Sequence, residues 1–204
     1  MELGEALAQI HAIRAQVART EVFRGYRAIT VGCTGLLAVL AAAVQPLVVP
    51  APPDNLPLYL QWWIGVAAIS AVWVAIELIS RWLHSNSSLH REQIHHAVEQ
   101  FLPCLVAGAC TTWAIVEFSP ASAHLLPGLW ALMFALGVFA SCRQLPAPAA
   151  LIAVYYLAAG VACLALARGS WAFHPWAMAG TFGIGQILTA VVLYYSLERP
   201  HAQP

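Results

Sequence analysis

Apolar residues in this chain gather into six runs, at about 28–49, 59–83, 98–118, 125–142, 147–167 and 175–197. Each is close to the ~20 residues that a helix rising about 1.5 Å per residue needs to cross ~30 Å of hydrocarbon. Lipid offers no partner to a backbone N–H or carbonyl, so a run of this kind must satisfy its peptide groups internally, as a helix. The pattern predicts an all-α, polytopic membrane protein: a six-transmembrane-helix bundle over residues 26–199. The breaks carry turn chemistry. Pro46, Pro50, Pro52 and Pro53 with Asp54 and Asn55 close the first run, Ser85-Asn86-Ser87-Ser88 follows the second, and Ser119-Pro120 the third. Pro146 and Pro148 part the fourth from the fifth, and Arg168-Gly169-Ser170 the fifth from the sixth.

Residues 1–25 show a different period. Leu3, Leu7, Ile10, Ile13 and Val17 recur three or four residues apart, with Glu2, Glu5, Gln9, Gln16, Arg19 and Glu21 mostly off that stripe. This predicts an amphipathic cytoplasmic helix. It would lie on the membrane surface or against the bundle, or else dock a partner or a second copy. The N-terminus has no apolar core of a cleavable signal peptide, so the first span is expected to act as an uncleaved anchor. Residues 200–204 form a cytoplasmic tail.

Composition supports the same class. The 204 residues are 61% hydrophobic and 9% charged, whereas a soluble domain carries about 25% charge. Net charge is zero, which removes the electrostatic case for nucleic acid. All nine cations are arginine, so Schiff-base lysine chemistry is excluded. The five cysteines all fall in apolar runs, an odd number without paired spacing, and read as packing residues.

Orientation follows from the arginines. With the N-terminus in the cytoplasm, Arg14, Arg19, Arg24, Arg27, Arg81, Arg91, Arg143 and Arg199 lie inside and only Arg168 outside. Positive charge is retained on the cytoplasmic side, so both termini are expected there, in a bacterial inner membrane. Trp62, Trp63, Trp171 and Trp176 would mark the outer boundary, and Tyr26, Trp82, Tyr194 and Tyr195 the inner one. Helix contact faces in lipid are built from small residues. Ala67, Ala71 and Ala75 offer such a face on the second span, Ala107, Gly108 and Ala109 on the third, Ala158, Ala159, Gly160 and Ala162 on the fifth, and Gly180, Gly183 and Gly185 on the sixth. No internal repeat of the transporter kind is evident.

Several residues carry candidate chemistry. At the head of the third span, Glu92, His95, His96 and Glu99 interleave Glu-x-x-His with His-x-x-Glu on one helix. Residues three or four apart share a face, so the cluster could hold a divalent metal. A di-iron carboxylate site would need a second such motif, which is missing from the sequence. The alternatives are a solvated helix end and a pH sensor, since histidine titrates near neutrality. Glu77 lies inside the second span, where an acid is costly and suggests function. Arg81 at i+4 offers a neutralising partner. Cys110, Thr111 and Thr112 on the third span and Gln186 on the sixth are polar at depth. Gly180-Thr181-Phe182-Gly183-Ile184-Gly185 is either a close-packing face or a local unwinding that lines a polar cavity. His124 and His174 sit at helix ends, and no histidine lies where a bis-histidine haem would need one. The sequence has no Gly-x-Ser-x-Gly, His-Glu-x-x-His, kinase or phosphate-loop signature in a fitting context.

Three stretches, ARTEVFRGYRA (18–28), EQFLPCLVAG (99–108) and LPGLWALMFALGVFASCR (126–143), resemble segments of uncharacterised bacterial integral membrane proteins of about 200 residues. The resemblance implies the membrane class and brings no catalytic residue, cofactor or substrate. Two expectations follow for function. The first is a non-catalytic sensor or accessory subunit, oligomeric through its small-residue faces, that docks a membrane or cytoplasmic partner through residues 1–25 and the 84–99 loop. The second is a small transporter or channel with a polar path past Glu77, Cys110, Thr111 and Gln186. Metal binding at the Glu/His cluster is a further alternative, and an enzyme ranks last.

Overall fold

The computed structural model describes residues 28–84, 88–142, 148–166 and 169–198. The amphipathic helix expected at 1–25, the tail at 200–204 and the side chain of Glu92 lie outside the described residues. Among the described residues, 93% are helical and none is in a strand. Six helices are long and apolar enough to cross a membrane. The chain is an all-α six-helix bundle of the multi-pass membrane class.

Five spans are α1 (Ala28–Val48), α2 (Leu56–His84), α3 (Ser88–Phe118), α4 (Leu126–Ser141) and α5 (Ala149–Leu166). The sixth span is composite. It starts as α-helix at Pro175–Met178, widens into a π turn over Ala179–Ile184, returns to α over Gly185–Leu193 and ends in a second π turn at Tyr194–Glu198. Short 3₁₀ turns at Pro120–Leu125 and Gly169–Phe173 lead into α4 and the sixth span.

The boundaries differ from the apolar runs where local chemistry allows. The second span begins at Leu56 rather than 59, because Pro57 is tolerated in a first helical turn. The Asn55 carbonyl accepts the Tyr59 N–H at 3.1 Å there. The third helix begins ten residues before its apolar run, so its polar head is continuous with the span. Pro103 cannot donate to the carbonyl four residues back, yet the helix passes through it without a break. Pro46 likewise falls within the last turn of α1 instead of ending it.

Packing is uneven. The most extensive interface joins α1 to the composite sixth span, the next joins α4 to α5, and α3 leans on α4. α2 touches α1 and, slightly, α3. Close crossings sit where glycine removes the Cβ. A Cβ on Gly128 would lie 2.9 Å from the Gly160 carbonyl, fixing the α4–α5 crossing. A Cβ on Gly35 would lie 2.9 Å from the Gly183 carbonyl, fixing α1 to the sixth span.

The largest core cluster lies at the end of the bundle that carries residues 49–55, here called the loop-1 end. Ala42, Val49, Tyr59, Trp63, Ala123, Leu126, Phe173 and Met178 meet there. Midway along, Ala135, Ile152 and Tyr156 pack with Phe134 and Phe182, and at the opposite, loop-2 end Ala28, Val31 and Leu193 cluster. Among the described residues, the small-residue face expected on α2 joins no other helix, and on α3 only Gly108 faces a neighbour, Met133 of α4. Ala67, Ala71 and Ala75 on α2 are exposed, as are Ala107 and Ala109 on α3. None of the described residues covers those exposed alanines.

Candidate functional site

Because α3 runs unbroken from Ser88, His95, His96 and Glu99 are presented from rigid helix and not from a loop. Residues three and four apart on a helix are neighbours, and the pairing follows. Glu99 Oε2 lies 3.4 Å from His95 Nδ1 and 3.2 Å from His96 Nδ1. The three donor atoms are all within 4.8 Å of one another. The side chains stay open to the surroundings, at 69% exposure for His95, 42% for His96 and 57% for Glu99. Three of the four residues expected to form a metal cluster are thus together. The arrangement is a one-sided set of two imidazoles and one carboxylate.

Glu77 and Arg81 pair on one face of α2, as their spacing requires. Arg81 donates from Nε to Glu77 Oε1 at 3.2 Å, and its Nη2 lies 3.1 Å from the same oxygen. The pair is half-buried and lines a cleft of about 370 Å³ between α1 and α2 at the loop-2 end, with Thr30, Trp73 and Ser80. An ion pair costs far less in lipid than an isolated acid, so mutual neutralisation accounts for Glu77 being tolerated at this depth.

The other polar residues at depth do not converge. Cys110 is exposed on α3 and Thr111 is half-buried. Thr112 is committed to structure: its hydroxyl donates to the Gly108 carbonyl at 2.7 Å and accepts the Trp130 indole N–H at 2.8 Å, joining α3 to α4. Gln186 sits on the sixth span against α1, where its Cβ would meet a side chain on Gly35 at 3.0 Å. Since α3 packs on α4 while the sixth span packs on α1 and α5, these residues line no common path among the described residues. Trp130→Phe removes the one side-chain bond found between α3 and α4 among the described residues. It should destabilise the protein by about 0.6 kcal/mol, the average for an interhelical bond in lipid, and by no more than about 1.7 kcal/mol, as read by unfolding in mixed micelles.

The glycine-rich stretch is resolved as a packed π turn. Gly183 lies under Val39, whose Cγ2 would be 2.6 Å from an added Cβ, and Gly185 lies against the Tyr156 ring at 2.5–2.8 Å. A π turn displaces backbone carbonyls from their usual partners. The Gly180 carbonyl accepts the Tyr155 hydroxyl of α5, and Thr181 Oγ1 lies 3.4 Å from Cys163 Sγ. Close packing accounts for Gly183 and Gly185, whereas nothing lies within 4 Å of a Cβ added at Gly180. All five cysteines are free thiols.

Sequence reasoning missed the polar centre of the loop-1 end. Gln45 is 1% exposed; its Nε2 donates to the Phe173 carbonyl at 3.0 Å and its Oε1 accepts the Trp63 indole N–H at 2.9 Å. One amide thereby ties α1 to α2 and to the turn before the sixth span. A lone glutamine inside the first apolar run was the available signal. Tyr59 and Tyr156, both 0% exposed, were missed too. Their hydroxyls have no partner in hydrogen-bonding geometry, although Thr189 lies close to that of Tyr156. No family model matches the chain, and no curated protein or solved structure does either.

Proposed function

We propose that the chain is a non-catalytic subunit of a bacterial inner membrane, a sensor or accessory protein with both termini in the cytoplasm, that holds a membrane partner along α2 and α3. One observation carries this reading: the imbalance of burial among the spans. Only 11% of the apolar window of the second span and 6% of that of the third are buried, against 28–39% in the other four. Helices in lipid gain no hydrophobic drive from associating, so two long spans so thinly attached to their own bundle suit a surface that completes itself on another protein. The small residues Ala67, Ala71 and Ala75, exposed on α2, would let a partner helix approach closely. A transport path has less support, since its expected polar residues are spread over separate helix faces.

The test uses Ala71→Leu and Ala75→Leu together in the full chain, extracted from native membranes in a mild detergent. The expected result is loss of a larger complex in blue-native electrophoresis, with insertion and the fold of the single chain unchanged, because both alanines are exposed on α2. A complex of unaltered size, or a monomer from the start, would remove the docking reading.

A further inference from the structure

We infer that His95, His96 and Glu99 form a binding site for a first-row divalent transition metal, of which Zn²⁺ is the best match. Donor chemistry and donor separation both point to this class of ion. Imidazole nitrogen with one carboxylate oxygen is a donor set that suits zinc, copper, nickel or iron and is poorly suited to magnesium or calcium. Zinc bonds of about 2.0–2.2 Å arranged tetrahedrally place neighbouring donors about 3.4 Å apart. Two of the three edges already have that length: 3.4 Å from His95 Nδ1 to Glu99 Oε2, and 3.2 Å from His96 Nδ1 to Glu99 Oε2. The remaining edge, between the two imidazoles, falls within 4.8 Å. The rings meet edge-on with centroids 6.2 Å apart, and both side chains are open enough to turn toward a shared ion.

The proton balance is straightforward. The short imidazole–carboxylate contacts need a proton on each Nδ1 that donates to Oε2. A metal taking the Nδ1 lone pairs displaces those protons, which leave to solvent or to Nε2. Three protein donors on one side of an exposed helix leave at least one coordination position open, the hallmark of an exchangeable site as opposed to a closed structural one. The inference stands apart from the docking reading, because it concerns the polar head of α3 and not its lipid-facing wall.

The experiment titrates Co²⁺, as a spectroscopic stand-in for Zn²⁺, into the full-length protein in nanodiscs after purification through a tag without histidine. Expected are saturable visible ligand-field bands at one Co²⁺ per chain, bleached by one equivalent of Zn²⁺. His95→Ala, His96→Ala and Glu99→Gln should each weaken binding at least 10-fold, while His124→Ala, at the far end of α3's partner α4, should leave it unchanged. These side chains are exposed, so each variant should fold, checked by its elution volume and circular dichroism. Absence of saturable bands, or equal binding in wild type and the three variants, would overturn the site.

Discussion

Gly35→Ala should destabilise the protein by about 1–3 kcal/mol, the range for forcing extra volume into a well-packed contact. The methyl would sit 2.9 Å from the Gly183 carbonyl and 3.0 Å from both Gln186 Cβ and Ile187 Cγ1. The first of these is backbone and cannot swing aside, so α1 and the sixth span must separate along their whole crossing. Gly65→Ala is the matched control, because nothing lies within 4 Å of an added Cβ there. Both changes carry the same intrinsic helix gain of up to ~1 kcal/mol. The difference between the two variants, measured by unfolding in mixed micelles, therefore isolates the steric cost. Equal stability in both would mean that the Gly35–Gly183 crossing does not hold the bundle.

Gln45→Leu should cost about 2–6 kcal/mol, since it orphans two buried partners at roughly 1–3 kcal/mol each. The Trp63 indole N–H and the Phe173 carbonyl both turn on this one amide, and Trp63 is only 3% exposed. Neither can reach water without opening the loop-1 end. The double variant Gln45→Leu/Trp63→Phe should recover part of the loss, because it removes one orphan. Additive losses would show that the indole finds another acceptor. The comparison with Trp130→Phe is informative: there the threonine keeps its bond to Gly108, so a smaller effect is expected.

The two variants probe opposite ends of a structural contrast. The four spans α1, α4, α5 and the sixth hold one another through glycine crossings, and α2 joins them chiefly at the loop-1 end through Tyr59, Leu60 and Trp63. Toward the loop-2 end α2 separates enough to leave the cleft at Glu77 and Arg81. α3 depends on α4 through the Trp130–Thr112 bond and on the Phe101 ring, which packs over Gly137 and meets Phe134 edge-on at 5.1 Å. The proposed docking wall and the proposed metal site both belong to this loosely held pair, which is where association can alter the structure at least cost.

What the sequence determined by itself was the class and the number of spans. Lipid imposes one solution on any apolar run of about 20 residues, so length and composition suffice without knowledge of neighbours. Pairs on a single helix were legible for the same reason: Glu77 with Arg81, and His95 and His96 with Glu99, follow from the 3.6-residue repeat alone. Tertiary structure alone decided which faces meet. Small residues permit close approach without specifying it, so Ala71 and Gly183 look equivalent in sequence, yet one is exposed and the other lies under Val39. The same holds for glutamine. Gln186 and Gln45 are each a lone amide in an apolar run, and only the crossing of α1, α2 and the turn at Phe173 makes Gln45 the buried centre. A hydrogen bond across 128 residues of sequence leaves no periodic trace, because it is fixed by the placement of whole helices.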